Sequence, residues 1–381
     1  MRGCTPLRTV VAVASLLLMV STAGCWDALD IDRRAFVSVM GLDSVDSEQG
    51  DRIQLSLMIP VLGGGGGMGG ADEPPARMQV VEESGANAEE AVEKMRAMVG
   101  GVLDFSTLQY VAIGKNVNPE DLVNAMHTLH FTRFIPMTPL MFATEQKVSD
   151  LFRAISPSGR SFTDTLDAIQ TQSRMGWGHI HYPQSWEIMT LLVNKTGDLA
   201  LTVIDETDQG DGLQAVGAAV YDGAKYMGLA NPADSLMLYC VAHRRYPGGT
   251  YPFEHEGREL LIRILGARTT VKAHHGHADT PRLTVDMRVN ATLLDSGGYR
   301  LPLLNRKRLD ELEGMVACDM EARLSRLLER LQDWNSDAMR LYHEVRVRMP
   351  QMSYEDFKKV YPRVEVGFHV SVLLVRTGLL R

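Results

Sequence analysis

The chain has 381 residues, of which 45% are apolar and 23% charged, and its formal net charge is −8. That length exceeds one small core and implies two or three domains, with the balance of a folded protein rather than a disordered one. An acidic balance argues against nucleic acid as a partner, because phosphate binding needs clustered cations, and the overall sign argues against simple electrostatic adhesion to anionic lipid.

The first predicted element is an export signal over 1–24. Arg2 and Arg8 precede an apolar core, Val10–Val20, of about the length of a signal-peptide h-region and too short to span a membrane. Thr22-Ala23-Gly24-Cys25 then reads as a lipobox, although Thr22 stands where an aliphatic residue is usual. In that device the thiol of Cys25 becomes an S-diacylglycerol cysteine, the peptide is cut before it, and the freed amine can be N-acylated. Loss of residues 1–24 removes Arg2, Arg8 and no acid, taking the net charge from −8 to −10. Cys4 leaves with the signal, so Cys240 and Cys318 remain, and each is expected as a buried thiol on the apolar side of a helix.

In the mature chain, Phe36, Val37, Val39 and Met40 predict a strand stopped by Gly41, paired as a hairpin with Ile53–Pro60. The glycine tract 63–70 runs into Ala71-Asp72-Glu73-Pro74-Pro75, which lacks the lysine and hydroxyl of a phosphate loop and reads as a flexible surface loop. A helix is expected over Ser84–Val99, a strand over Leu108–Ile113, and a helix starting at Asn118-Pro119-Glu120-Asp121. A strand at Pro139–Ala143 and a short helix at Val148–Ile155 follow. Ser156–Thr196 shows no clear period. The main boundary falls in Thr196–Gly212, giving an N-terminal α/β region 25–205, with an internal break near 115–150, and a C-terminal domain 206–381.

The C-terminal part is patterned more strongly. Ala215–Tyr221 and Lys225–Leu229 flank the turn dipeptide Asp222-Gly223, and Asn231-Pro232-Ala233-Asp234 starts a helix. Strands are expected at Glu259–Leu265, at Arg268–Ala273 and along the strict alternation Leu283–Leu293. Asn305–Trp334 is a long amphipathic helix, with Glu313 and Glu321 on its charged face. A second helix over Ser336–Val345, a short one capped by Ser353, and a closing strand Val364–Arg376 complete an α+β chain of mixed and antiparallel sheets. Its C-terminal domain is expected to be a sheet packed by the long helix.

Chemistry-bearing residues assemble no active site. His274-His275-Gly276-His277 with Asp279 reads as a solvated turn, and His127 with His130 has no acidic third ligand. His179 and His181 read as surface polarity. His255-Glu256 does not extend to a zinc motif, and Ser156-Pro157-Ser158-Gly159 is no nucleophile elbow. The chain therefore reads as a non-enzyme that needs no cofactor and no metal.

Gly24-Cys25-Trp26-Asp27, followed by Ala35–Asp43 ending in Gly-Leu-Asp, resembles the start of the C-subunits of spore germinant receptors, the Ger(x)C lipoproteins. Ala215–Tyr221 with Met227-Gly228, the long helix, Ser336-Asp337, Tyr354–Val360 and the terminal Arg376-Thr377-Gly378-Leu379-Leu380 are similar to the same family. The resemblance implies a scaffold attached through Cys25 to the outer face of the spore inner membrane. It also implies assembly with an A-type and an integral-membrane B-type receptor subunit, without catalysis. A solute-binding lipoprotein of an importer is the alternative; it would need two repeated doubly wound halves and a hinge.

Overall fold

In the computed structural model, which describes residues 33–45, 52–61, 78–131, 135–154, 161–175, 180–210, 212–255, 257–276, 280–295 and 306–375, the chain enters through β1 (Arg34–Phe36) and β2 (Val39–Val45). The expected signal over 1–24, Cys25 and the glycine tract lie outside these residues. β3 (Arg52–Pro60) returns antiparallel to β2, with Met40 opposite Leu57 and Leu42 opposite Leu55, so the expected hairpin is present. The strand does not stop at Gly41, which lies buried inside β2. A Cβ there would sit 2.1 Å from Val148 Cγ1, so this glycine lets a helix approach rather than ending a strand.

β4 (Met78–Gly85) continues the meander. α1 (Ala88–Met98) starts where Asn87 Oδ1 accepts the Glu90 N–H at 2.9 Å, four residues inside the expected span. β5 (Val102–Asp104) pairs parallel with β1, and β6 (Tyr110–Gly114), α2 (Pro119–Phe131), β7 (Leu140–Thr144) and α3 (Val148–Arg153) follow as read from sequence. The stretch without a period contains α4 (Phe162–Arg174) and α5 (Ser185–Asn194). β8 (Ala200–Glu206), β9 (Leu213–Asp222) and β10 (Lys225–Ala230) then complete one eight-stranded sheet in the order β10-β9-β8-β7-β6-β2-β3-β4. Its inner strands are parallel and its outer ones antiparallel.

Both faces of this sheet are covered. Met95, Leu122, Met126 and Ile188 of α1, α2 and α5 pack on one face, and Val148, Leu151, Phe162 and Leu166 of α3 and α4 on the other. The sheet also runs through the expected boundary, because β9 pairs with β8 across it. In β9, Ala219 and Tyr221 belong to the core of the N-terminal half, whereas Ala218 and Val220 belong to the C-terminal core. One hairpin strand serves two interiors by the period-two alternation of its side chains.

The C-terminal half begins with α6 (Pro232–Ala242), capped by Asn231 and buried along its length. β11 (Arg245–Tyr246), β12 (Gly249–His255), β13 (Arg258–His275) and β14 (Pro281–Asp295) lead to the long helix α7 (Arg306–Asp333). After α8 (Tyr342–Arg348) and α9 (Tyr354–Val360), β15 (Glu365–Leu374) closes a sheet of order β11-β13-β14-β15, with β12 beside β13. The two strands read at 259–265 and 268–273 are one, bridged by a bulge between Ile264 and Gly266.

Three expectations change here. Cys240 is buried in α6, where burial pushes its thiol up to about 12, but Cys318 is exposed on the outer side of α7. Glu313 and Glu321 do not face water alone. They accept the Leu374 and Val370 amides at 2.9 and 2.7 Å, closing the free edge of β15. Finally, Ser336–Arg340 is a turn: Asn335 and Arg340 hold φ of 50° and 55°, and the Asp337 carboxylate accepts the Leu341 and Tyr342 amides at 2.8 and 2.9 Å. A left-handed residue at each end and a side chain bonding its own backbone stop helix propagation.

Candidate functional site

Where the two halves meet, three segments distant in sequence converge on one lysine. Lys358, in α9, places its Nζ 2.6 Å from Asp198 Oδ2 and 2.7 Å from Asp222 Oδ1, and also donates to the Asn335 carbonyl. Asp198 precedes β8, Asp222 ends β9, and Asn335 follows α7. Local geometry puts each in reach. Gly223, at φ 59°, completes the tight turn after Asp222 and donates its N–H to Asp198 Oδ1 at 2.8 Å. Asp198 Oδ2 also accepts the Asp337 N–H at 2.7 Å, and the Asp198 N–H returns to the Asp337 carbonyl at 3.1 Å. The Ser336 hydroxyl donates to the Tyr221 carbonyl at 2.6 Å.

The cluster is dry. Asp198 and Asp337 are 2% and 0% exposed. Burial raises the Asp337 carboxyl to about 7 against the opposing pull of the Tyr342 and Leu341 amides, with the nearby Asp198 charge adding to the rise. The Tyr354 phenol is pushed far above its ordinary value by burial first and by Asp198 and Asp337 second, and its ring lies 5.6 Å from Lys358 Nζ. A cleft of about 490 Å³ opens beside the cluster, walled by Val123, Met189, Leu192 and Ala224, with the Lys195–Glu355 ion pair at its rim. The Lys358 amine and both Asp198 oxygens are engaged within the chain. The arrangement joins the two halves; it does not present a loose nucleophile or base.

A second polar cluster lies near the start of β8. The His181 and His243 rings stand 3.8 Å apart, both beside Tyr239 and with His243 also against Tyr246, and Thr202 exchanges two bonds with the His181 backbone at 2.8 and 2.9 Å. Burial, helped by the Arg340 charge, holds His181 at about 3 and His243 at about 2, so both are neutral. His181 is thus not surface polarity, since its Nε2 is shut off from water. His179 lies outside the described residues.

The other sequence-predicted positions stay apart. His127 stacks on Phe131 at 5.7 Å, and His130 Nδ1 lies 3.1 Å from the Met126 carbonyl. His274 and His275 are exposed at the end of β13, and His255 stacks on Phe253. His277, Asp279, Glu256 and Ser156–Gly159 lie outside the described residues. Among the described residues no group of three or more His, Cys, Asp or Glu is placed to hold a metal ion. Sequence reasoning missed Asp198, Lys358 and His243 because their partners are remote: Lys358 and Asp198 are 160 positions apart.

Comparison with known proteins accounts for both halves. Residues 27–206 match the family described as the spore germination protein N-terminal domain, and residues 216–378 the spore germination B3/GerAC-like C-terminal domain. The chain belongs to the GerAC-like spore germination proteins. It is 21% identical to spore germination protein KC of Bacillus subtilis (strain 168), across 98% of this chain and 96% of that protein. The crystal structure of the GerBC protein matches its fold with a TM-score of 0.56 at 14% identity, covering 88% of this chain and 97% of that one. The germinant-receptor C-subunit family to which the anchor and strand signature pointed is therefore the right one, and the mixed α+β fold is shared with GerBC. The two GerAC-like regions meet between 206 and 216, across the β8–β9 turn and the first residues of β9, so the sequence boundary falls inside a continuous sheet.

Proposed function

We propose that this GerAC-like protein is a lipid-anchored subunit of a germinant receptor, acting by docking rather than catalysis. Cys25 carries the acyl chains on the outer face of the spore inner membrane, and the folded body presents surfaces to the A-type and integral-membrane B-type subunits. The observation that carries the reading is position. The N-terminal family domain begins at residue 27, so a lipidated Cys25 would tether the body with almost no spacer. Among the described residues no helix is long and apolar enough to cross a membrane. Confinement to the same surface as its partners raises their effective concentration without any new contact.

An importer-type solute-binding protein would be built from two similar halves around a hinge. Here an eight-stranded mixed sheet adjoins a five-stranded one, and the β9 strand serves both cores, which speaks against that alternative. The test is Cys25→Ala. The variant should leave the spore membrane fraction and germinate poorly, and unchanged fractionation overturns the anchor. Co-purification of the tagged protein from spore membranes should bring the A- and B-type subunits with it. Its recovery without them overturns the docking role.

A further inference from the structure

The open face of the five-stranded sheet carries a charge that the acidic total conceals. The register puts Arg245 of β11 opposite Arg268 of β13, and Arg268 opposite Arg288 of β14. Directly opposed residues share a face, so three exposed arginines stand in one row across three strands, about 10 Å from end to end at the usual strand spacing. Like charges opposite one another weaken a sheet. Among the described residues, none of the three has an acidic partner within 4 Å. The neighbouring acids are already engaged: Asp286 lies 3.4 Å from Lys272 and Glu365 3.7 Å from Arg282. The arginine row lines a groove of about 650 Å³ floored by Gly266 and Asn290 and edged by Tyr246 and Pro247. One row further on, Leu373 stands opposite Asn290 and is 45% exposed, and Leu265, at the bulge, is 42% exposed.

We propose that this face docks on anionic phospholipid, with the row of Arg245, Arg268 and Arg288 gripping headgroup phosphates and the exposed leucines resting at the acyl boundary. Guanidinium forks match phosphate oxygens two at a time, and an anion between them relieves the repulsion along the row. A wet sheet face with cations beside exposed leucines suits a membrane surface, where charge and buried apolar area act together. The net charge, −8 for the full sequence and −10 from Cys25 onward once Arg2 and Arg8 are gone, does not oppose this, because screening limits each exposed charge to about 8 Å at physiological salt and the face sees its own arginines first. The face is present whether or not Cys25 is acylated.

The test uses the chain from Cys25 onward with Cys25→Ser, so that no acyl chain contributes. It should sediment with vesicles containing about one-third phosphatidylglycerol and not with pure phosphatidylcholine, and about 0.5 M salt should release it. Arg268→Gln/Arg288→Gln, checked for an unchanged thermal melt, should bind roughly thirtyfold more weakly, from the usual contribution of a cation near an anionic surface. Lys94→Gln/Arg96→Gln, on α1, should bind as before. Equal binding to both vesicle types, or full binding by the Arg268/Arg288 variant, overturns the proposal. If inorganic phosphate binds in an arginine-dependent way while vesicles do not, the face serves a free phosphorylated ligand and the membrane is the wrong occupant. Retention of polyglutamate but not vesicles would assign the face to an acidic protein, and equally overturns it.

Discussion

Lys358→Met removes the cation from the junction and puts an unbranched apolar side chain of similar length in its place, so lost packing contributes little to the outcome. The Lys358 side chain is 13% exposed and the Asp198 side chain 1%, so the variant strands a carboxylate out of water. Removing one partner of a buried pair costs about 3–5 kcal/mol. Asp198 keeps the Gly223 and Asp337 amides, and Asp222, with 36% of its side chain exposed, can turn to water, which puts the expected loss at the low end, about 3 kcal/mol. For 381 residues the unfolding entropy gives a slope of about 0.8 kcal/mol per degree, so Tm should fall by about 4 °C. Differential scanning calorimetry of the two proteins at neutral pH measures it. A Tm within 1 °C of wild type for Lys358→Met alone would refute the view that this pair joins the halves.

Asp337 should make the junction sensitive to alkali. Its carboxyl is raised from 3.8 to about 7 in the folded chain, so the folded state holds the proton more tightly than the unfolded state. The stability it contributes is complete below 3.8 and is lost as pH rises through 7; Asp337→Asn should therefore show a smaller fall in Tm between acid and mildly alkaline buffer, and equal slopes would contradict this. Gly41→Ala forces a methyl to 2.1 Å from Val148 Cγ1 and 3.1 Å from Phe152 Cζ, and should cost about 2 kcal/mol, read as a Tm lowered by about 2–3 °C with the secondary structure intact by circular dichroism.

Elements whose residues obey one local rule were legible in the sequence. The alternation from Leu283 to Leu293, the apolar stripe of α7 and the Asn231 and Ser353 caps each state their structure within a few neighbouring residues, and the structure agrees. Elements governed by distant packing were not. α4 is rich in threonine and glutamine and is fixed by Phe162 and Leu166 against the sheet. Ser336–Arg340 has helical composition but is held as a turn by Asp337. Gly41 carries the general signal of a strand end, while its real constraint, Val148, is more than a hundred residues away. The junction was illegible for the same reason. Asp198, Asp222 and Lys358 are ordinary residues for a loop, a turn and a helix surface, and only the fold makes them neighbours.

The sheet that crosses the boundary between the two halves governs how the protein can come into being. During synthesis the N-terminal half emerges first, ending in β8, whose outer edge stays bare until β9 and β10 arrive to cover it. A bare strand edge pairs readily with any other, so a nascent chain halted near residue 206 carries a sticky margin that the finished protein hides. The half that looks autonomous in a sequence comparison is a receptacle still waiting for its last two strands.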